Sequence, residues 1–167
     1  MKTGCKLFGT LLLVVSAGCA PAEVPLKSYP VVSGKDLVAG SAATFDKSVS
    51  SDGNGSLKLQ ADQPMTFTLY ETGDLDVEDN RVMYRAKLRC EGLQGQAYLE
   101  MWCVLGGQEA FSRTPNAPVT GDQDWTAVSA PFFLQAGENP DNLRLNVVVE
   151  GQGTVWIDEI EVTKLDK

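Results

Sequence analysis

From residue 42 onward, apolar and polar positions alternate in short runs, and each run is closed by a turn signal. In Met65-Thr66-Phe67-Thr68-Leu69-Tyr70 the apolar set is Met65, Phe67 and Leu69; in Leu143 to Glu150 it is Leu143, Leu145, Val147 and Val149. A period of two marks a half-buried strand, because successive side chains leave opposite faces of a sheet. Similar runs over 55–61, 82–90, 96–105, 125–134 and 153–164 are separated by glycine-rich or proline-containing turns such as Asp52-Gly53-Asn54-Gly55, Gly92-Leu93-Gln94-Gly95 and Gly151-Gln152-Gly153. No window keeps helical spacing over three turns. The pattern predicts an all-β sandwich of antiparallel strands, a single domain over 42–167.

The faces can be assigned from the same alternation. Thr66, Thr68, Tyr70, Arg144, Asn146 and Glu150 are expected to point away from the core. Reading 82–105 as a hairpin about Gly92-Leu93-Gln94-Gly95 pairs Tyr84 with Cys103, Ala86 with Met101 and Leu88 with Leu99 on the inner face. Its outer face then carries Arg85 opposite Trp102, Lys87 opposite Glu100 and Arg89 opposite Tyr98. In the last strand Val155 and Ile157 share one parity while Ile160 and Val162 share the other, which predicts a β-bulge at Asp158-Glu159.

The N-terminus adds a targeting reading. Lys2 and Lys6 precede the apolar run Leu7 to Val15, which has the length of an export signal and is too short for a membrane span. Val14-Val15-Ser16-Ala17-Gly18-Cys19 resembles a bacterial lipobox. This implies a signal peptide over 1–18, a lipidated Cys19, a flexible tether over 19–41 and residence in the bacterial cell envelope, periplasm-facing or on the cell surface. The alternative is ordinary secretion with cleavage after Ala20-Pro21-Ala22. Of the four cysteines only Cys90 and Cys103 then remain in the domain. In the hairpin register they lie six residues apart along the ladder, roughly 20 Å, so two buried, unpaired thiols are expected.

Composition mainly excludes. The chain has no histidine, which removes Ser-His and Cys-His catalysis and imidazole acid–base steps. Its net charge of −8 disfavours nucleic acid as a partner.

Several features in order resemble carbohydrate-binding modules of the family 4/9, CenC-like type, galactose-binding-domain-like jelly rolls: Thr44-Phe45-Asp46, Gly55-Ser56-Leu57-Lys58-Leu59, Trp125-Thr126 and Val155-Trp156-Ile157-Asp158-Glu159-Ile160. The resemblance spans about 42–164. It implies a two-sheet jelly roll and one structural calcium ion, with Asp46 and Asp158 as ligands; the alternative is that Asp46 serves a turn and Asp158 the amides of the bulge.

Sugar binding needs flat aromatic faces for C–H surfaces and fixed polar groups for hydroxyls. Trp102, Tyr98, Glu100, Arg85, Arg89 and Lys87 form such a mixture on the outer hairpin face, with Tyr70 and Asn146 as extensions. The expected function is non-catalytic binding of a glycan or polysaccharide, with Trp102 and Tyr98 stacking and a membrane contact through the lipid anchor. The alternative is a structural or assembly lipoprotein that covers the same face with a protein partner. Trp125 and Trp156 are expected to anchor the fold. An enzyme is not expected: Glu100 is the only acid set mid-strand beside aromatics, and Lys87 opposite it would lower its pKa, the wrong direction for a general acid.

Overall fold

The computed structural model describes residues 23–166. It contains eight strands: β1 (Glu23–Tyr29), β2 (Thr44–Asp46), β3 (Ser56–Ala61), β4 (Met65–Thr72), β5 (Asn80–Leu105), β6 (Gln108–Arg113), β7 (Val119–Phe133) and β8 (Asn142–Asp166). Every pairing is antiparallel. The expected all-β, two-sheet jelly-roll sandwich is the observed architecture. The predicted signal peptide and Cys19 lie outside the described residues.

Two long strands organise the whole domain. β5 and β8 pair along nearly their full lengths, from Asn80 opposite Asp166 to Val104 opposite Asn142. The ribbon bends midway and its two halves join different sheets. In the first sheet the half formed by 80–91 and 153–166 is flanked by β7 on one side and by β1 and β3 on the other, with β2 beyond β3. In the second, the half formed by 96–105 and 142–150 is flanked by β6 and β4.

The segment 82–105 is therefore a bent strand and not a hairpin; its two arms pair with β8 rather than with each other. The bend explains the glycines. Gly95 and Gly151 are Cα partners with φ of 130° and 150°, where side chains are strongly disfavoured. A Cβ on Gly95 would stand 2.0 Å from the Glu150 carbonyl oxygen, and one on Gly151 would stand 1.9 Å from that of Gln94. The two strands can cross this tightly only without side chains.

Inward parity survives the change of register, because β8 offers the same alternation to both arms. Leu88 meets Ile157 and Met101 meets Leu145, all buried. The bulge stands as expected: between Arg85 and Lys87 the partner on β8 jumps from Glu161 to Asp158, and Glu159 takes a positive φ of 51°. Cys90 and Cys103 are buried free thiols, separated because β5 carries them into different sheets.

Two further expectations are corrected. A second bulge between Thr68 and Tyr70 turns Tyr70 inward, where it is buried and stacks on Tyr29 with centroids 4.2 Å apart. Within the stretch read as a tether over 19–41, the described residues belong to the domain: β1 pairs with β8 and Val31 is 1 % exposed. An edge strand that is largely exposed and interrupted by Pro25 shows little alternation, so periodicity alone misses it.

Candidate functional site

The outer faces of the two sheets differ, and the six residues first grouped as one site divide between them. Arg85, Lys87 and Arg89 lie on the first sheet. Arg85 Nε and Nη2 donate to Glu23 Oε1 and Oε2 at 2.6 and 2.9 Å. Lys87 Nζ donates to Glu159 Oε1 at 2.7 Å and to Ser51 Oγ at 3.2 Å. Arg89 lies over the Trp156 ring, 5.6 Å from its centroid, and Lys58 stands 5.7 Å from the same ring. These side chains fasten neighbouring strands to each other. Trp156 is 5 % exposed and its Nε1 donates to Asp46 Oδ2 at 3.0 Å, the arrangement of a fold anchor.

The proposed calcium ligands sit beside this face. Asp158 is fully buried; its Oδ2 accepts from the Ser51 amide at 2.8 Å and from Ser50 Oγ and the Asp52 amide at 3.3 Å each, while its Oδ1 accepts from the Glu159 amide at 2.8 Å. Asp46 Oδ1 accepts from the Ser48 hydroxyl and amide, at 2.6 and 2.9 Å. Among the described residues no cluster of three or more His, Cys, Asp or Glu side chains is arranged to hold a metal ion. N–H and O–H donors occupy the oxygens of both carboxylates, the hydrogen bonding expected where Asp46 serves a turn and Asp158 the bulge and the 50–52 loop.

Trp102, Tyr98 and Glu100 lie on the second sheet, where β4, β8, β5 and β6 run side by side. Alternation places them outward, since Leu99, Met101 and Cys103 between and beside them are fully buried. Register sets Arg144, Trp102 and Phe111 in one row across three strands, and Thr68, Asn146, Glu100 and Arg113 in the next row across four. The rings of Trp102 and Phe111 are 4.9 Å apart and tilted by 36°. Arg144 stands over the indole, 5.5 Å from its centroid, and is ion-paired with Glu109. Phe111 is 46 % exposed and is the most open ring of this face, with Arg113 standing over it 5.1 Å from its centroid.

Beneath the rings lies a polar floor. Trp102 Nε1 and Asn146 Nδ2 both donate to Glu100 Oε1, at 2.7 and 3.1 Å, and Glu100 and Asn146 are 7 % and 4 % exposed. Asn146 Oδ1 is buried without a hydrogen-bond partner. Tyr98 donates to Glu150 Oε1 at 2.8 Å, and Gln96 to Oε2 at 2.6 Å; these two bonds hold the Glu150 carboxyl below its ordinary range. Tyr98 is 1 % exposed and has no free face for stacking. Along the β4 side of this face a groove of about 570 Å³ opens between the 38–42 loop and Thr66, Thr68, Glu71 and Arg144.

Sequence reasoning missed Phe111, Arg113 and Arg144 as members of this face. The outward parity of Arg144 was legible; β6 was not, because Gln108–Arg113 contributes one apolar residue to a run of six that is otherwise small or polar.

No protein-family model matches the sequence. No curated protein matches it either. Solved structures do. The CBM22-1 xylan-binding domain of Xyn10C from Paenibacillus barcinonensis is similar at a TM-score of 0.61 and 16 % identity, over 90 % of this chain and 99 % of that one. The CBM22-1–GH10 modules of a Clostridium thermocellum xylanase, solved with xylohexaose, give 0.64 at 13 % identity over 86 % of this chain and 29 % of that one. A family 16 carbohydrate-binding module gives 0.55 at 10 % identity, over 78 % and 95 %. The chain has the fold of a β-sandwich carbohydrate-binding module. What stands of the sequence resemblance is that fold; these neighbours do not single out the family 4/9 type.

Proposed function

We propose that the outer face of the second sheet is a non-catalytic glycan-binding site, carried into the bacterial cell envelope on a lipid anchor at Cys19. The observation that carries the reading is the coincidence, on one sheet face, of an exposed ring at Phe111 beside Trp102 with a buried floor whose Asn146 Oδ1 has no partner. A buried acceptor left unpaired costs about 1–3 kcal/mol, and a ligand hydroxyl would satisfy it. The solved structures that share this fold include xylan-binding domains, which supports the same use here. Binding without catalysis fits the single buried carboxylate of the face, Glu100, which is held by Trp102 and Asn146 rather than set opposite a second acid.

A glycan array probed with the wild type, Phe111→Ala and Trp102→Ala tests this. The wild type is expected to retain at least one glycan. Phe111→Ala should weaken retention by about tenfold, since a stacked ring contributes about 0.5–1.5 kcal/mol beyond the area it buries, with little change in thermal stability. Retention of no glycan, together with a co-purifying protein lost on Trp102→Ala, would favour the structural or assembly lipoprotein instead.

A further inference from the structure

We propose that the corner of the first sheet at Phe133 is a membrane-contact surface, a second point of attachment that, with the lipid on Cys19, fixes how the domain leans on the bilayer. This rests on the lipid-anchor reading above and adds the part of the domain that meets the lipid.

The reach of the anchor sets where the bilayer lies. Three residues, Ala20 to Ala22, separate Cys19 from Glu23 at the start of β1, and a chain of that length spans at most about 14 Å from Cys19 to Glu23. Glu23 ends a row of Cα partners that crosses the first sheet through Leu165 and Arg81 to Phe133. Three strand spacings make the row about 14 Å long. The lipid is therefore held no farther from Glu23 than Phe133 is.

That row and its neighbours carry the side chains a bilayer takes. Phe133 is 59 % exposed, the most open large apolar side chain among the described residues. With Pro131 and Phe132 it lines a hollow of about 290 Å³ that ends against Phe111 and Ser112. Val24, 39 % exposed, stands in the adjoining row. Arg81 lies over the Phe133 ring, 5.4 Å from its centroid. A ring beneath a guanidinium suits the boundary between acyl chains and headgroups, where the ring enters the apolar side and the cation reaches a phosphate.

Charge then selects the tilt. The 73–79 loop leads into β5 just before Arg81, the 134–141 loop leaves β7 just after Phe133, and together they carry Asp74, Asp76, Glu78, Asp79, Glu138 and Asp141. The loops are laced to each other: the Gly137 amide donates to Glu78 Oε2 at 2.8 Å, and the Val77 and Glu78 amides donate to Asn139 Oδ1 at 2.9 and 3.0 Å. A domain standing upright on them would press these carboxylates against headgroup phosphates. Leaning on the Phe133 corner keeps them in water. One ring binds a bilayer weakly, but the tether makes this contact intramolecular, so a small affinity is enough.

Quenching of an introduced tryptophan by brominated phosphatidylcholine tests the contact. The lipidated chain, purified from bacterial membranes and reconstituted in vesicles of that lipid, is compared as Phe133→Trp and as Val32→Trp. Val32 is 58 % exposed but lies beyond the opposite end of β1, about 20 Å of strand away. The indole added at position 133 should be quenched several-fold more than the one added at position 32. Cys19→Ala should lower the quenching at position 133 by about tenfold or more, because the untethered domain loses its high local concentration. Equal quenching at the two positions in acylated protein overturns the proposal and leaves the anchor reading standing. An intact mass without acyl groups on the purified chain overturns the anchor reading, and this proposal with it. A Cys19→Ala chain that sediments as a dimer, and as a monomer once Phe133→Ser is added, also overturns it by giving the corner to a second copy.

Discussion

Each sheet presents a tryptophan on its outer face, flanked by cations and donating its indole N–H to a carboxylate, yet the two are built to different ends. Trp156 lies between Lys58 and Arg89, gives its proton to Asp46, and is almost wholly covered. Around it Arg85 and Lys87 are each spent on a neighbouring strand or loop, and Asp158 collects four donors. Trp102 gives its proton to Glu100, but there the floor keeps an unused acceptor at Asn146 and the neighbouring ring of Phe111, with Arg113 over it, stays nearly half exposed. A surface that satisfies its own polar groups serves the fold. One that leaves a buried acceptor waiting carries a cost that only a ligand or an ordered water removes.

The comparison exists only because the β5–β8 ribbon bends, so the largest expected effect comes from blocking the bend. Gly151→Ala puts a methyl group 1.9 Å from the Gln94 carbonyl oxygen, at a φ that alanine avoids. Relief requires the two backbones to part where the sheets diverge. Urea unfolding should show a loss of at least about 3 kcal/mol. A variant as stable as the wild type would mean that the strands do not cross at these glycines.

Next in size is the contrast between the indoles themselves. Trp156→Ala should destabilise by about 3 kcal/mol, in the range for a large aromatic removed from a packed setting, while the folded fraction keeps its glycan retention. Phe111→Ala should do the reverse. Were Trp156→Ala to abolish retention in protein that is still folded, the assignment of one face to structure and the other to binding would fail.

The two faces also differ in how far the sequence discloses them. Inward and outward positions were legible in every run but that of Tyr70, because one parity in each run is apolar whichever strand it pairs with. The partner was not. Gly92-Leu93-Gln94-Gly95 has the composition of a hairpin turn, and pairing 82–90 with 96–105 satisfies both faces as well as the true ladder does. Local residues cannot distinguish a reversal from a bend; the distinction lies in Gly151, some sixty residues on, which closes against Gly95. Hence Trp102, Tyr98 and Glu100 were rightly turned outward while Arg85, Lys87 and Arg89 were wrongly set beside them. Tyr70 was lost to a bulge that one residue of slip creates, with no glycine or proline to announce it.

The smallest effect expected is a difference in how the structural face answers acid. The Ser48 hydroxyl first, then the Trp156 indole N–H and the Ser48 amide, hold the Asp46 carboxyl down to about 2. A carboxyl whose folded value lies below its unfolded one, near about 4, adds stability that is complete above the unfolded value and lost as pH falls toward the folded one. Asp46→Asn removes the titration and keeps one oxygen acceptor, enough for Ser48 or for Trp156 but not for both. The wild type should therefore melt a few degrees above Asp46→Asn at neutral pH, and the two curves should converge between about pH 4 and pH 2. The gap stays small because this carboxyl is partly open to solvent, where screening weakens each of its contacts. Melting curves that remain parallel down to pH 2 would show that the indole is held by its cations and its packing alone, and that the charge on Asp46 contributes nothing to the covered face.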